Sequence, residues 1–209
     1  MKRFYITFFS AIVLGVGFSA CSKDNEGEEQ SENASLTMKV DGEIWATTIN
    51  NLFTEEHEYE GTEYYLVLVG GQRITPSGGE DDVSSISMHI AIPKSRLNSP
   101  KGTYPLLKDA EANIGQATAS YIVSSEIGQT WYASYDPANP TQAVGTVEIT
   151  GFEVGEQRVV GYPTGKQGYT KLSGTFKMNV YPIEENRGSV AKITEGKFNL
   201  KSGLGFDFK

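Results

Sequence analysis

One cysteine, two histidines and one dense aromatic run are the residues of this 209-residue chain whose types and spacing could do chemistry. Cys21 follows the small pair Ser19-Ala20 and precedes Ser22-Lys23-Asp24-Asn25-Glu26-Gly27-Glu28-Glu29. A sole cysteine has no internal disulfide partner, and a free thiol is unusual in an exported chain. The reaction this position suits is thioether formation, the sulfur taking a diacylglycerol. His57 lies among Glu55, Glu56, Glu58 and Glu60. Chelating sites space their ligands more tightly, so the run reads as a solvated loop and not as a metal site. Glu80, Asp81 and Asp82, beside Gly78 and Gly79, lack the alternate spacing of a calcium loop. His89 has no serine or cysteine partner that would make it a base. Gly-x-Ser-x-Gly, His-Glu-x-x-His and Walker-type loops are absent from the sequence. The expectation is a protein that is not an enzyme, with no catalytic residues, no metal ligands and no cofactor. A pair of carboxylates that meets only in space is left open by sequence.

The segment that positions Cys21 has three parts. Lys2 and Arg3 are positive, Phe4 to Phe18 is apolar apart from small residues and hydroxyls, and Ser19-Ala20 supplies a cleavage site. That is the plan of a secretory signal peptide. An apolar run of about 15 residues is shorter than the roughly 20 that span a bilayer as a helix. Residues 1–20 are therefore expected to be removed. The small residues before Cys21 resemble a bacterial lipobox, with Phe18 where leucine is usual, and the resemblance implies a lipid-anchored chain. Two or more acyl chains on Cys21 hold stably where one holds marginally, so the domain needs no further membrane contact.

Without residues 1–20 the chain keeps 16 basic and 26 acidic residues, a formal charge of −10. That excess, with no basic cluster in the sequence, argues against nucleic acid and against attraction to anionic lipid. Residues 21–34 carry Asp24, Glu26, Glu28, Glu29 and Glu32 against Lys23 and no large apolar side chain. Such a stretch cannot build a core and reads as a self-repelling tether. In Bacteroidota lipoproteins, acids just after the lipidated cysteine resemble the signal for the outer face of the outer membrane. Cell-surface display is accordingly expected in preference to the periplasmic face.

Residues 35–209 read as one domain with enough chain for a substantial core. Leu36, Met38 and Val40 alternate with polar residues. Asp41-Gly42 then makes a two-residue hairpin turn before Ile44 and Trp45, with Trp45 in the core. Asn50 to Thr62 is expected to be a polar connection. Tyr64 to Gly70 reads as a central strand and Gln72 to Val83 as a long turn. Ile86, Met88, Ile90 and Ile92 share an inward face. A helical turn is expected near Ser95-Arg96-Leu97, and strands at Gly102–Tyr104, Ala117–Val123, Thr130–Tyr135 and Val144–Val154. Gly155-Glu156 is expected to turn the chain into a strand over Gln157–Tyr162. Leu172, Gly174, Phe176, Met178 and Val180 share one face, and the bare Gly174 leaves room for a large ring such as Trp45. Ile193 and Phe198 are five apart, so a β-bulge is expected near Glu195-Gly196. At least eight strands without covering helices predict an all-β fold, an antiparallel β-sandwich of immunoglobulin-like or related type.

The densest aromatic cluster is Trp131-Tyr132-Ala133-Ser134-Tyr135. In a strand Trp131 and Tyr135 share one face and Tyr132 takes the other. A two-layer sandwich has one core face per sheet, so a large ring should reach the surface, where it either covers a neighbouring strand or suits the face of a sugar. Trp131, Tyr132 and Tyr135 are the candidate ligand-binding aromatics. The expected role is a non-catalytic binding module for a glycan or an envelope protein. The alternative is a structural or assembly-associated envelope protein without a small-molecule ligand.

Four stretches resemble a family of small, functionally uncharacterised Bacteroidota lipoproteins with a β-sandwich domain. They are Lys39-Val40-Asp41-Gly42-Glu43-Ile44-Trp45, Gly102-Thr103-Tyr104, Ser173-Gly174-Thr175-Phe176 and Ile193-Thr194-Glu195-Gly196-Lys197-Phe198. Their order spans nearly the whole of residues 35–209. The resemblance implies fold and envelope location, and it brings no catalytic residues.

Overall fold

The computed structural model describes residues 34–75, 82–108, 114–125, 128–159, 162–184 and 188–207. Cys21, residues 1–33 and the acids Glu80 and Asp81 lie outside them. Twelve strands follow one another: β1 (Leu36–Val40), β2 (Glu43–Ala46), β3 (Ile49–Tyr59), β4 (Thr62–Thr75), β5 (Asp82–Pro93), β6 (Gly102–Leu106), β7 (Ala117–Ser125), β8 (Gly128–Ala133), β9 (Gly145–Val159), β10 (Tyr162–Pro182), β11 (Ala191–Lys201) and β12 (Gly203–Phe206). A 3-10 turn, Lys94–Arg96, stands where a helical turn is expected.

The fold is all-β and sandwich-like. Its strands form one continuous sheet in the order β12-β3-β4-β5-β7-β6-β9-β10-β11-β1-β2, with β8 pairing β7 and β10. All pairings are antiparallel except β6 with β7, which meet in parallel at Leu106 and Ala117. The sheet curls over so that β3 faces β9, β10 and β11. The main core results, in which Leu52, Val67, Met88 and Ile90 from one half meet Leu172, Phe176, Ile193 and Leu200 from the other, and a small second cluster gathers Tyr64 and Ala91.

Period-two alternation explains the inner face: Leu36, Met38, Ile86, Met88, Ile90, Ile92, Leu172, Phe176, Met178 and Val180 are all buried. Asp41 and Gly42, at φ 51° and 92°, turn β1 into β2, with Val40 opposite Glu43. Both central residues at positive φ is what a two-residue hairpin requires. The bulge lies where the parity of Ile193 and Phe198 puts it. Glu195 has φ 53°, and β11 slips by one residue against both β1 and β10 at this point.

Five expectations are corrected. Gln72 to Val83 is not a turn throughout, because β4 runs to Thr75 and β5 begins at Asp82. Asn50 to Thr62 is no loop: Ile49–Tyr59 is strand β3, and Glu60-Gly61 forms a second tight hairpin turn into β4. Asn50 and Thr54 are buried, yet both are satisfied by partners far along the chain. The Thr54 N–H donates to Gln157 Oε1 (2.7 Å), and Gln157 Nε2 donates back to the Thr54 carbonyl (2.9 Å). One glutamine side chain thus stands in for a strand and links β3 to β9. The turn expected at Gly155-Glu156 does not exist, because β9 runs through it to Val159 with Gly155 opposite Gly168. The ring over Gly174 is Phe198 and not Trp45. A Cβ at Gly174 would lie 2.5 Å from Phe198 Cζ and 2.1 Å from the Glu148 carbonyl oxygen. The strand expected to reach Tyr135 ends at Ala133. Ser134 there is buried and ties back to β7, its N–H donating to the Ala119 carbonyl and its Oγ accepting from the Ala119 N–H.

The two ends of the domain are clasped by Asp207. Its carboxylate accepts from Ser35 N (3.1 Å), Ser35 Oγ (2.8 Å), Thr47 Oγ1 (2.7 Å) and Asn50 Nδ2 (2.9 Å). The start of β1, the β2–β3 corner and the end of β12 therefore meet at one carboxylate.

Candidate functional site

Two concave regions flank β1. The first, a mouth of about 640 Å3, opens where the β1–β2 hairpin approaches the ends of β4, β5 and β7. Trp45, Arg73, Ser84 and Tyr121 supply its aromatic and donor groups, and Asp41, Glu43 and Asp82 its acids. Most come from strand ends, Tyr121 comes from the middle of β7, and the β1–β2 turn, which carries Asp41, holds the hairpin across the opening. The Trp45 indole N–H donates to Ser84 Oγ at 2.7 Å, which locks the ring plane. Arg73 Nη1 donates to the Ile44 carbonyl at 3.3 Å and so brings β2 over the end of β4. Burial pushes the Tyr121 phenol above the usual tyrosine range, and the Ser84 hydroxyl bonded to it offsets part of that effect. The phenol therefore stays a neutral donor and acceptor. Apolar ring edges, a guanidinium and hydroxyls on rigid strands are the groups that orient a polar ligand with apolar faces.

The second region is a shallow groove of about 890 Å3 on the outer face of β1, β11 and β10, reached also by Thr150 of β9. It is lined by Thr37, Ser173, Thr175 and Asn199, by the cations Lys39, Lys171 and Lys197, and by Glu195. Ala34 and Ser35 line it too, so the chain enters the domain along this groove. The expected lack of a basic cluster does not hold in three dimensions. Lys39, Lys171, Lys177, Lys192, Lys197 and Lys201 all lie on this face, brought together by the registers of β1, β10 and β11.

The candidate aromatics are not assembled into one patch. Tyr132 is opposite Tyr121 in the β7–β8 pairing, with ring centroids 6.0 Å apart, and packs against the core. It reaches the mouth only through Tyr121. Trp131 pairs with Ile122 on the other face, and its carbonyl accepts from the Ile183 N–H at 2.8 Å. Tyr135 lies past the end of β8, its ring under Lys108 Nζ at 5.2 Å. All three are half-buried. His57 stacks on Tyr64 and has Nε2 3.3 Å from Glu55 Oε2. Among the described residues, no three His, Cys, Asp or Glu side chains come together in a way that could hold a metal ion.

Arg73, Ser84 and Tyr121 are the mouth residues that sequence reasoning missed. Tyr121 alternates correctly for a core position and carries no local mark of a site, and Arg73 falls in a stretch read as a turn. Only the approach of the β1–β2 hairpin turns these strand ends into a cavity. The fold and the mouth define an all-β protein with a rigid, partly aromatic cleft at one end of a curled sheet. Compared with protein-family models, with curated proteins and with solved structures, the chain matches none.

Proposed function

We propose that the protein is a lipoprotein of the outer membrane, anchored through lipid on Cys21 and displayed at the cell surface, whose β-domain binds a glycan in the mouth without catalysis. The placement of the mouth supports this reading. Residues 21–34 join the domain at the start of β1, and the mouth opens at the other end of that strand, about 17 Å further on at the usual strand rise. A domain tethered at Ala34 therefore presents the mouth away from its anchor. Inside it, the edges of Trp45 and Tyr121 offer apolar contact to a sugar ring. Arg73, Ser84 and the Tyr121 hydroxyl offer hydrogen bonds. The lipobox-like residues and the resemblance to Bacteroidota lipoproteins support the anchor and the location.

The test has two arms. Metabolic labelling with a clickable fatty acid should mark the wild type and leave Cys21→Ser unmarked. Purified protein should bind an uncharged oligosaccharide on a glycan array. Arg73→Ala should weaken that binding about tenfold, as loss of a hydrogen bond from a charged donor does, at unchanged melting temperature. A wild type that takes no lipid refutes the anchor. An array without a binder, or Arg73→Ala binding as before, refutes the mouth and leaves the structural or assembly-associated role.

A further inference from the structure

The lysine-edged outer face of β1, β11 and β10 has no part in the reading above, and its charges are arranged against the trend of the whole chain. The protein carries 18 basic and 26 acidic residues, yet a third of the basic ones, six lysines, stand on this one face. Lys39 is paired with Glu195 at 2.8 Å, and Lys171 is 3.7 Å from Glu153. Among the described residues, Lys177, Lys192, Lys197 and Lys201 have no carboxylate within ion-pair distance. Further acids of this part of the sheet are Glu148, opposite Thr175, and Asp41, whose carboxylate accepts from the Lys192 N–H at 2.8 Å. Lys171 and Lys201 are directly opposite each other across β10 and β11. Like charges placed so oppose strand pairing. Folding alone does not call for that juxtaposition.

We propose that this face binds an acidic polysaccharide. The lysines of this face match carboxylates or sulfates. Among them, Thr37, Ser173, Thr175 and Asn199 supply hydroxyl and amide groups suited to sugar hydroxyls. The register sets Thr37, Lys197 and Thr175 side by side across three strands, and Ser173 beside Asn199. A linear polymer crossing these strands therefore meets Lys197 between two neutral hydrogen-bonding groups, with Glu148 beyond Thr175. Another polyanion fits less well. Single-stranded nucleic acid is held by base-stacking aromatics, and among the described residues the groove's only ring is Phe198, which is buried.

The experiment uses the full mature chain in detergent, with three probes of matched length: a polyuronate, a sulfated glycan and neutral dextran. Binding of at least one acidic polymer is expected, with none to dextran. Raising salt from about 0.05 to 0.5 M should weaken it roughly tenfold or more, because screening and counterion release act on a multi-lysine contact. Lys197→Ala with Lys201→Ala should reduce affinity about tenfold at unchanged melting temperature, the loss expected when about 1.4 kcal/mol of contact is removed. Arg73→Ala, in the mouth, should leave it intact, so failure here is separate from failure of the mouth. The proposal falls if dextran binds equally, or if the lysine variants bind the acidic polymers unchanged. It falls equally if duplex DNA or phosphatidylglycerol vesicles bind more tightly than either acidic glycan.

Discussion

The mouth is walled by side chains that the core itself holds, whereas the lysine face is made of side chains that the core never touches. Both are reached from β1, one at each end. Trp45 and Tyr121 are 2% and 6% exposed, so nearly all of each ring packs inside. Lys177, Lys192, Lys197 and Lys201 are exposed along their strands. The difference teaches how each region resists change. The mouth draws its stability and its shape from the same atoms. The lysine face keeps its shape from the backbone registers beneath it, and its side chains are at liberty to be selected for charge alone.

The largest effect that would break this contrast is at Trp45. Trp45→Ala should destabilise the domain by about 3–5 kcal/mol, the range for deleting a buried aromatic, whereas Lys197→Ala should stay within about 0.5 kcal/mol. Urea unfolding of the two variants measures both. A loss below about 1 kcal/mol at Trp45 would show that the mouth is not part of the core.

Asp207 tests whether the groove's entrance depends on a distant carboxylate. Asp207→Ala removes the acceptor shared by Ser35, Thr47 and Asn50, and leaves the buried Thr47 and Asn50 without that bond. A cost of about 1–3 kcal/mol is expected, with amide exchange increased first at Ser35 and along β12. Equal exchange there in variant and wild type would mean the clasp contributes nothing.

The smallest effect is the sharpest. Lys201→Glu turns the opposed Lys171–Lys201 pair into an attractive one and should stabilise the fold by about 0.2–1 kcal/mol. The same variant should lose affinity for an acidic polysaccharide. Stability gained while binding is lost would separate the two demands on this face. A destabilised Lys201→Glu would show that the lysine is held by something other than charge.

The strand pattern was legible because side chains alternate with period two. Ile86 to Ile92 and Leu172 to Val180 announce their inner faces wherever the strand is placed. Asp41-Gly42 declares its turn through the positive φ both residues adopt. The bulge at Glu195-Gly196 follows from parity alone, since Ile193 and Phe198 cannot share a face without an added residue. In each case the information lies within a few residues of the feature it specifies.

What the tertiary structure alone decided is everything that depends on a neighbour's identity. Asn50 to Tyr59 reads as a loop because its buried polar groups have no partners nearby in sequence. Those partners are Asp207 and Gln157, 157 and 103 residues away. The large ring over Gly174 is Phe198 because β11 pairs with β10 in that register, and local pattern does not carry register between strands. The six lysines are dispersed in the chain and converge only when β1, β11 and β10 lie side by side. Alternation says which side of a strand faces water. Which groups share that side with it is settled by the long-range pairing that closes the sheet.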